Sequence, residues 1–286
     1  MKYTEEYYKI YCGKGEYCRS NPQWGLFFGS IAETLIERLA PSTHFDAGCA
    51  LGFLVEAFRD RGISSFGRDI SEYAIRNARS DIQPYCEVGS ITSALPDHYD
   101  LITCIEVLEH MNERDALGAI TVLTVATDTI LFSSSPSDFD DPTHINVRPI
   151  RYWIEQFENA GFVLDQNFDA SFVCSHAMLF RRSYGHRRDL YLDLATSVME
   201  LRMERFDLEV VRDVSHARLM TVQSLQMELD TIKSGLSWQL MIGLWRLRAT
   251  IAPPNSFVDQ IAKRILGFTA PRKIAEAGDA DLTSVK

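Results

Sequence analysis

The chain has 286 residues, 46% apolar and 24% charged, with 29 Lys+Arg against 39 Asp+Glu and a formal net charge of −10. That composition excludes a disordered or collagen-like chain, and the length suffices to bury a core without disulfides or metal. The acidity argues against DNA and RNA as partners, because a phosphate backbone needs basic contacts. Cys12, Cys18, Cys49, Cys86, Cys104 and Cys174 make no paired framework and read as reduced thiols of a cytoplasmic protein.

The opening MKYTEEYYKIYCGKGEY lacks the apolar stretch of a secretory signal, and places Tyr3, Tyr7, Tyr8, Tyr11 and Tyr17 ahead of Arg19 and Trp24. Short apolar runs follow at His44–Gly48, Ser64–Asp69, Tyr85–Val88, Tyr99–Ile105 and Thr127–Ser133, alternating with helical patterns. That alternation predicts βαβ units and a mostly parallel sheet. Two further runs, Phe162–Phe168 and Phe172–Phe180, follow one another as an antiparallel hairpin would. After Arg188 an apolar residue recurs every seventh position at Leu194, Leu201, Leu208, Val222, Leu229 and Leu236, with Ser215 breaking the series. The companion positions Val211, Leu225 and Ile232 are apolar, while Ser197, Glu204 and Arg218 are not. A long helix with an imperfect seam fits, suited to a short coiled coil or to packing on its own domain.

Gly235 interrupts that helix, and SWQLMIGLWRLRATIAPP runs to a Pro-Pro stop. Arg246, Arg248, Lys263, Arg264, Arg272 and Lys273 make the following stretch basic against Asp259 alone, and the final AEAGDADLTSVK reads as disordered. Residues 186–286 hold 14 Lys+Arg against 13 Asp+Glu, so the first 185 carry −11. The expected organisation is a domain over 1–185, a helical extension over 186–252, and a basic, partly disordered tail over 253–286.

In THFDAGCALGFLVEAFRDRG a strand, a small-residue turn and an amphipathic helix succeed one another. Gly48 and Gly52 remove Cβ atoms where the backbone turns and where a ligand approaches. A dinucleotide fingerprint would need glycine at 50 and 53, where Ala50 and Phe53 stand. D-x-G-x-G-x-G fits instead, with Ala50 in the middle slot. The run SSFGRDISEYAI ends a strand at Asp69, which can accept the hydroxyl hydrogens of a ribose or cap the next helix.

DAGCALG, GRDIS, YDLITCIEVLEHM and PIRYWIEQFENAGF, taken in order, resemble four motifs of the class I S-adenosylmethionine-dependent methyltransferases, over about residues 30–182. The resemblance implies an α/β fold, a seven-stranded, mostly parallel Rossmann-like sheet with an antiparallel terminal hairpin, here followed by the long C-terminal helical or coiled-coil extension. It implies S-adenosyl-L-methionine held by Asp46, Gly48, Ala50, Gly52, Asp69 and Ser90, with Glu106 in the same set. The acid that often follows the third strand is absent, which leaves adenine to Ser90, Ile70 and Ile91. Residues 1–30 would be a lid, with Arg19 or Tyr17 on the methionyl carboxylate.

Methyl transfer is an in-line displacement, so the protein aligns the partners and deprotonates a hydroxyl acceptor. The candidates are Glu106, Glu109 and His110 in EVLEH, and Asp140, Asp141, His144 and Asn146 in FDDPTHINVRP. His144 is the first choice of base and His110 the second, and either could instead only buttress the fold. Glu106, Glu109 and His110 would share one face if their segment were helical, and with His144 would suit Mg²⁺ or Mn²⁺. That pattern is similar to metal-dependent small-RNA 2′-O-methyltransferases and, less completely, to ubiquinone-pathway O-methyltransferases.

The tail resembles tails of proteins encoded with bacterial polysaccharide glycosyltransferases. It suggests O-methylation of a sugar hydroxyl in a glycan or glycosylated metabolite, and a cytoplasmic protein that could sit at the inner membrane face. The C-terminal helix could meet a second copy, a glycosyltransferase or a membrane, with Trp238, Met241, Leu244 and Trp245 on its apolar side. Metal-assisted methylation of RNA or a small-molecule diol is the alternative. A scaffold that binds the cofactor without turnover is the second.

Overall fold

The computed structural model describes residues 3–11, 16–183, 188–251, 256, 257, 260 and 261. After α1 (Glu5–Ile10) and α2 (Pro22–Leu39), the chain alternates β1 (Thr43–Ala47), α3 (Phe53–Arg59), β2 (Ser64–Asp69), α4 (Glu72–Arg76), β3 (Cys86–Val88), β4 (Leu101–Ile105), α5 (Glu113–Val125) and β5 (Thr129–Ser133). Next come α6 (Ile150–Asn159), β6 (Phe162–Leu164), β7 (Met178–Arg182), α7 (Arg188–Ser234) and α8 (Leu236–Ile251).

The strands form one seven-stranded sheet in the order β3-β2-β1-β4-β5-β7-β6. β1 to β5 pair in parallel, and β7 pairs antiparallel with both β5 and β6. Central parallel strands are covered on both faces, so neighbouring residues serve opposite cores. Ile102, Phe132 and Phe180 join Trp153 and Phe157 of α6. Leu101, Leu131 and Leu179 join Ile31 and Leu35 of α2 and Phe58 of α3. The strand order reverses between β1 and β4, and ligands of such sheets bind outside the carboxyl ends of the strands at that switch point.

The hairpin is shifted from its expected place. The apolar run from Phe172 is mostly loop, and the strand begins only at Met178. Phe168, Ala170 and Val173 are apolar because they pack on the α2 side of the sheet, not because they alternate in a strand.

Two compact units divide between Val211 and Arg212. Ala195 and Met199 of α7 lie fully buried in the first unit's core, so that unit extends past residue 185, where strand signals stop. The second unit contains the end of α7 and then α8. Among the described residues no helix is long and apolar enough to cross a membrane. Cys12, the basic residues Lys263, Arg264, Arg272 and Lys273, and the side chains of Trp245 and Arg248 lie outside the described residues.

Candidate active site

The turn after β1 is built around three left-handed residues, Gly48, Ala50 and Gly52, the last at φ +72° where α3 begins. Gly48 has φ +85°, and a Cβ there would lie 2.4 Å from Val107 Cγ2. Ala50 adopts φ +44°, so the alanine in the middle slot holds a conformation that costs any residue with a Cβ roughly 1 kcal/mol or more. Asp69 secures it: Ala50 N donates to Asp69 Oδ2 at 2.8 Å, and Ser71 N donates to Oδ1 at 2.7 Å. Ser71 caps α4 by accepting from Ala74 N, so capping is not the task of Asp69. Burial raises the Asp69 carboxyl against those two hydrogen bonds.

Asp46 sits beneath the same turn at the end of a buried chain of hydrogen bonds. Thr103 Oγ1 donates to Asp46 Oδ1 at 2.6 Å, so His44 Nε2–H donates to Thr103 and Ser65 Oγ–H donates to His44 Nδ1. Burial pushes Asp46 up to about 7 against the Thr103 hydrogen bond, with the Asp69 charge adding to the rise. Burial also drives the His44 imidazole down to about 3, which keeps it neutral within the chain.

The segment after β4 departs from a single helical face. Glu106 has φ +53° at the end of the strand, its N–H donates to Ser133 O, and Glu109 and His110 follow in a 3₁₀ turn whose Leu108 is fully buried. Leu108 is anchored in the core between the two carboxylates, which stay within hydrogen-bonding reach of each other. Glu106 turns to His176 Nε2, 2.9 Å away, while Glu109 joins His110 and His144, each offering a ligand atom within 4.8 Å of the others. Ile145 N and Asn146 N both donate to Glu109 O at 2.9 Å, which binds the post-β5 loop to the post-β4 turn.

Hydrogen bonding selects the tautomers of both histidines. The Thr143 hydroxyl donates to Asp141 Oδ1 at 2.7 Å, so His110 Nδ1–H donates to Thr143 at 2.8 Å and its Nε2 keeps a lone pair. His144 Nδ1–H donates to the Asp138 carbonyl at 2.9 Å, which places the lone pair of the neutral ring on Nε2, 3.8 Å from Asp141 Oδ2. Their ring centroids are 4.5 Å apart. Burial and the neighbouring His144 hold His110 down at about 4, so it is neutral at pH 7. Burial and the Glu106 charge raise Glu109 well above the usual carboxylate range, and its buried Oε2 has no hydrogen-bond partner in the protein. A divalent ion bound there would displace that proton, and the two imidazole lone pairs with one carboxylate are a fitting donor set for it. Asp140 is exposed, and Asn146 spends its amide on Leu108 O and Arg148, so neither of these two expected candidates enters the cluster.

His176 is absent from the candidates expected on sequence grounds. Burial opposes charge on its ring, but hydrogen bonds with Cys174 and Glu106 outweigh it and push the imidazole up to about 10. It stands 70 residues from Glu106, so nothing in the local pattern links the two.

The N-terminal aromatics pack over this region. Tyr3 O accepts from Ser71 Oγ at 2.7 Å, and the rings of Tyr3 and Tyr7 meet His110 edge-on at 5.8 and 6.1 Å. Burial first, then the charges of Asp69, Asp141 and Glu109, push the Tyr3 hydroxyl up to about 12. Arg19 pairs with Glu56 and lies 5.0 Å over the Phe53 ring, and its buried Nη1 has no hydrogen-bond partner in the protein. Tyr17 instead stacks on Tyr8 and packs on Trp24 and Phe53. On the other side of Asp69, Ile70 is 63% exposed and Ser90 Oγ lies 2.7 Å from Thr92 Oγ1. Ile91, expected beside them against adenine, is 5% exposed and belongs to the core.

A turn that a Cβ would block, a buried carboxylate gripping it, and convergent His and Glu side chains occupy the switch point of the sheet. Residues 26–167 match the family model described as a methyltransferase domain. The chain carries a methyltransferase domain. Curated relatives include ubiquinone biosynthesis O-methyltransferases of Nitrosomonas europaea, 31% identical over 28% of this chain and 37% of that protein, and of Pseudomonas paraeruginosa, 35% identical over 26% and 35%. The chain spans less than half the length of these relatives. Magnesium protoporphyrin IX methyltransferase from Synechocystis PCC 6803, solved with bound S-adenosylhomocysteine, is a structural neighbour at TM-score 0.48 and 18% identity, over 63% of this chain and 97% of that one.

Proposed function

We propose that the chain transfers a methyl group from S-adenosylmethionine to a hydroxyl oxygen of a small acceptor. The observation that carries the proposal is the convergence of His110, His144 and Glu109 at the carboxyl end of β4, beside the Gly48 turn. The cofactor residues fit: the Gly48 turn lets backbone approach the ligand, Asp69 retains lone pairs for ribose hydroxyls, and Arg19 has an unpartnered N–H for a carboxylate.

In the reaction the acceptor oxygen forms a bond to the methyl carbon as the carbon–sulfur bond breaks, and that electron pair stays on sulfur. The hydroxyl proton passes to Nε2 of His110 or His144, the lone pairs that the Thr143 and Asp138 hydrogen bonds hold available. Tyr3 and Tyr7 shield the site from water on the His110 side.

The orphaned Glu109 Oε2 favours a metal-assisted form of the same reaction. Mg²⁺ or Mn²⁺ on Glu109, His110 and His144 would lower the pKa of the acceptor hydroxyl. Glu106 is engaged by His176 and lies outside that three-residue ligand set. The curated relatives are named for O-methylation in ubiquinone biosynthesis, which supports a small-molecule diol over RNA, and so does the −10 net charge. A sugar hydroxyl presents the same chemistry to these groups, and its support is the tail's composition alone.

Labelled S-adenosylmethionine with a panel of phenolic diols and glycosides, assayed with Mg²⁺ or with chelator, tests the reading. Transfer to a hydroxyl that falls with Glu109→Gln supports it. Binding of S-adenosylhomocysteine with no transfer to any acceptor would make the chain a non-catalytic scaffold.

A further inference from the structure

The seam of α7 is an exposed apolar feature outside the site. Val222 and Leu229 of α7 and Leu236, the first residue of α8, recur every seventh position, and Leu208 stands two repeats before Val222 with Ser215 between. Val211, Leu225 and Ile232 fall three residues after Leu208, Val222 and Leu229, and each of these seven apolar residues is between 47% and 78% exposed. An apolar line of this 3-4 spacing, exposed over 222–236 and again at Leu208 and Val211 beyond the polar Ser215 and Arg218, matches one side of a coiled coil.

The charges beside the seam say what fits it. Immediately before Leu208 and Leu229 stand Asp207 and Glu228, and four residues after those leucines stand Arg212 and Lys233, all exposed. In a parallel, in-register pair of helices the residue just before one seam position faces the partner's residue five positions later. Asp207 would then face Arg212 and Glu228 would face Lys233 of a second copy, in both directions. An antiparallel pairing would set Asp207 and Glu228 against acids, and Arg212 and Lys233 against bases. The next heptad towards the N-terminus repeats the pattern with Glu200 and Arg205, but there Arg205 is engaged by Asp169 of its own chain.

We infer that α7 pairs with α7 of a second copy of this chain as a parallel, in-register two-stranded coiled coil over residues 208–234. Ser215 and Arg218 form a polar layer in its middle, where Val214 and Leu219 carry apolar surface past on the two flanks. Such a layer lowers stability and sets register, because sliding one helix by a heptad would place Arg218 against an apolar layer. In register the two Arg218 side chains face each other, so replacing them should tighten the pair.

The test uses the full chain. Sedimentation equilibrium should give twice the 32.5 kDa chain mass, falling to the single-chain value in Leu225→Glu/Ile232→Glu. Glu228→Lys should raise the dimer dissociation constant about tenfold, Lys233→Glu added to it should restore the dimer, and Arg218→Leu should lower the constant. Leu229→Cys should form an intermolecular disulfide that depends on the introduced thiol, because equivalent seam positions meet only in the parallel register. A wild-type chain at the single-chain mass up to 100 μM overturns the proposal, whether or not it floats with anionic vesicles. A dimer that fails to cross-link through Leu229→Cys, or that Lys233→Glu fails to rescue, overturns it as well.

Discussion

Substituting alanine for Gly48 tests the turn on which cofactor binding depends. The residue sits at φ +85°, and its added Cβ would lie 2.4 Å from one methyl of Val107 and 3.0 Å from the other. The left-handed backbone costs roughly 1–2 kcal/mol with a Cβ. Overlap with a β-branched side chain that packs against the core adds roughly 1–3 kcal/mol. Gly48→Ala should therefore lower unfolding free energy by about 2–5 kcal/mol in urea melts, and weaken S-adenosylhomocysteine binding by calorimetry, because the Gly48 N–H to Arg68 O hydrogen bond must move with the turn. Val107→Ala removes the overlap and leaves the backbone strain. A double-mutant cycle should then show a favourable coupling of about 1–3 kcal/mol. Additive losses, with coupling under about 0.5 kcal/mol, would refute the steric argument.

Asp69→Ala should weaken S-adenosylhomocysteine binding by about 10- to 100-fold, since one buried carboxylate both grips Ala50 N and meets the ribose in this reading; an affinity within twofold of wild type removes it from the site. Glu109→Gln should reduce the rate of methyl transfer by about 100-fold or more with cofactor affinity little changed, as single-turnover kinetics can separate. Arg19→Met should raise the dissociation constant for S-adenosylmethionine more than that for adenosine, and an equal effect on both would exclude a contact with the methionyl carboxylate. The Glu106–His176 pair fixes a pH window. His176 is raised from 6.5 to about 10, so its contribution is complete below pH 6.5 and lost as pH rises through about 10. Glu106 is held below its ordinary 4.5, so its share is present above that pH and is lost on acidification. The Tm deficit of His176→Gln should be largest between about pH 4.5 and 6.5 and vanish above about pH 10, and a deficit independent of pH would refute the ion pair.

Much of the fold was legible locally. β2 falls on the expected residues, and β1, β4 and β5 within a few positions; β4 and β5 are near-continuous apolar runs because they are buried on both faces, whereas β2 reads SSFGRD with Phe66 as its large apolar side chain. The antiparallel pair is present but its strands differ from the expected runs, β6 ending at Leu164 and β7 beginning at Met178, since Phe168 and Val173 are apolar for a reason of tertiary packing that has no period. The burial of two later residues was hidden for the same reason: Ala195 and Met199 look like ordinary helix residues until the core closes over them.

For the site, the chain by itself determined which chemistry was available: the glycine turn, Asp69, and a supply of His and Glu after the fourth and fifth strands. These obey local rules, as a sharp turn needs glycine and the carboxyl end of a strand delivers the next few residues to the sheet's edge. Only the tertiary structure decided the grouping. Glu106 meets His176 and Glu109 meets His110 and His144, and a threonine and a carbonyl from the post-β5 loop selected the lone pairs. Those choices depend on partners tens of residues away, and a short-range pattern contains no record of where a distant loop returns.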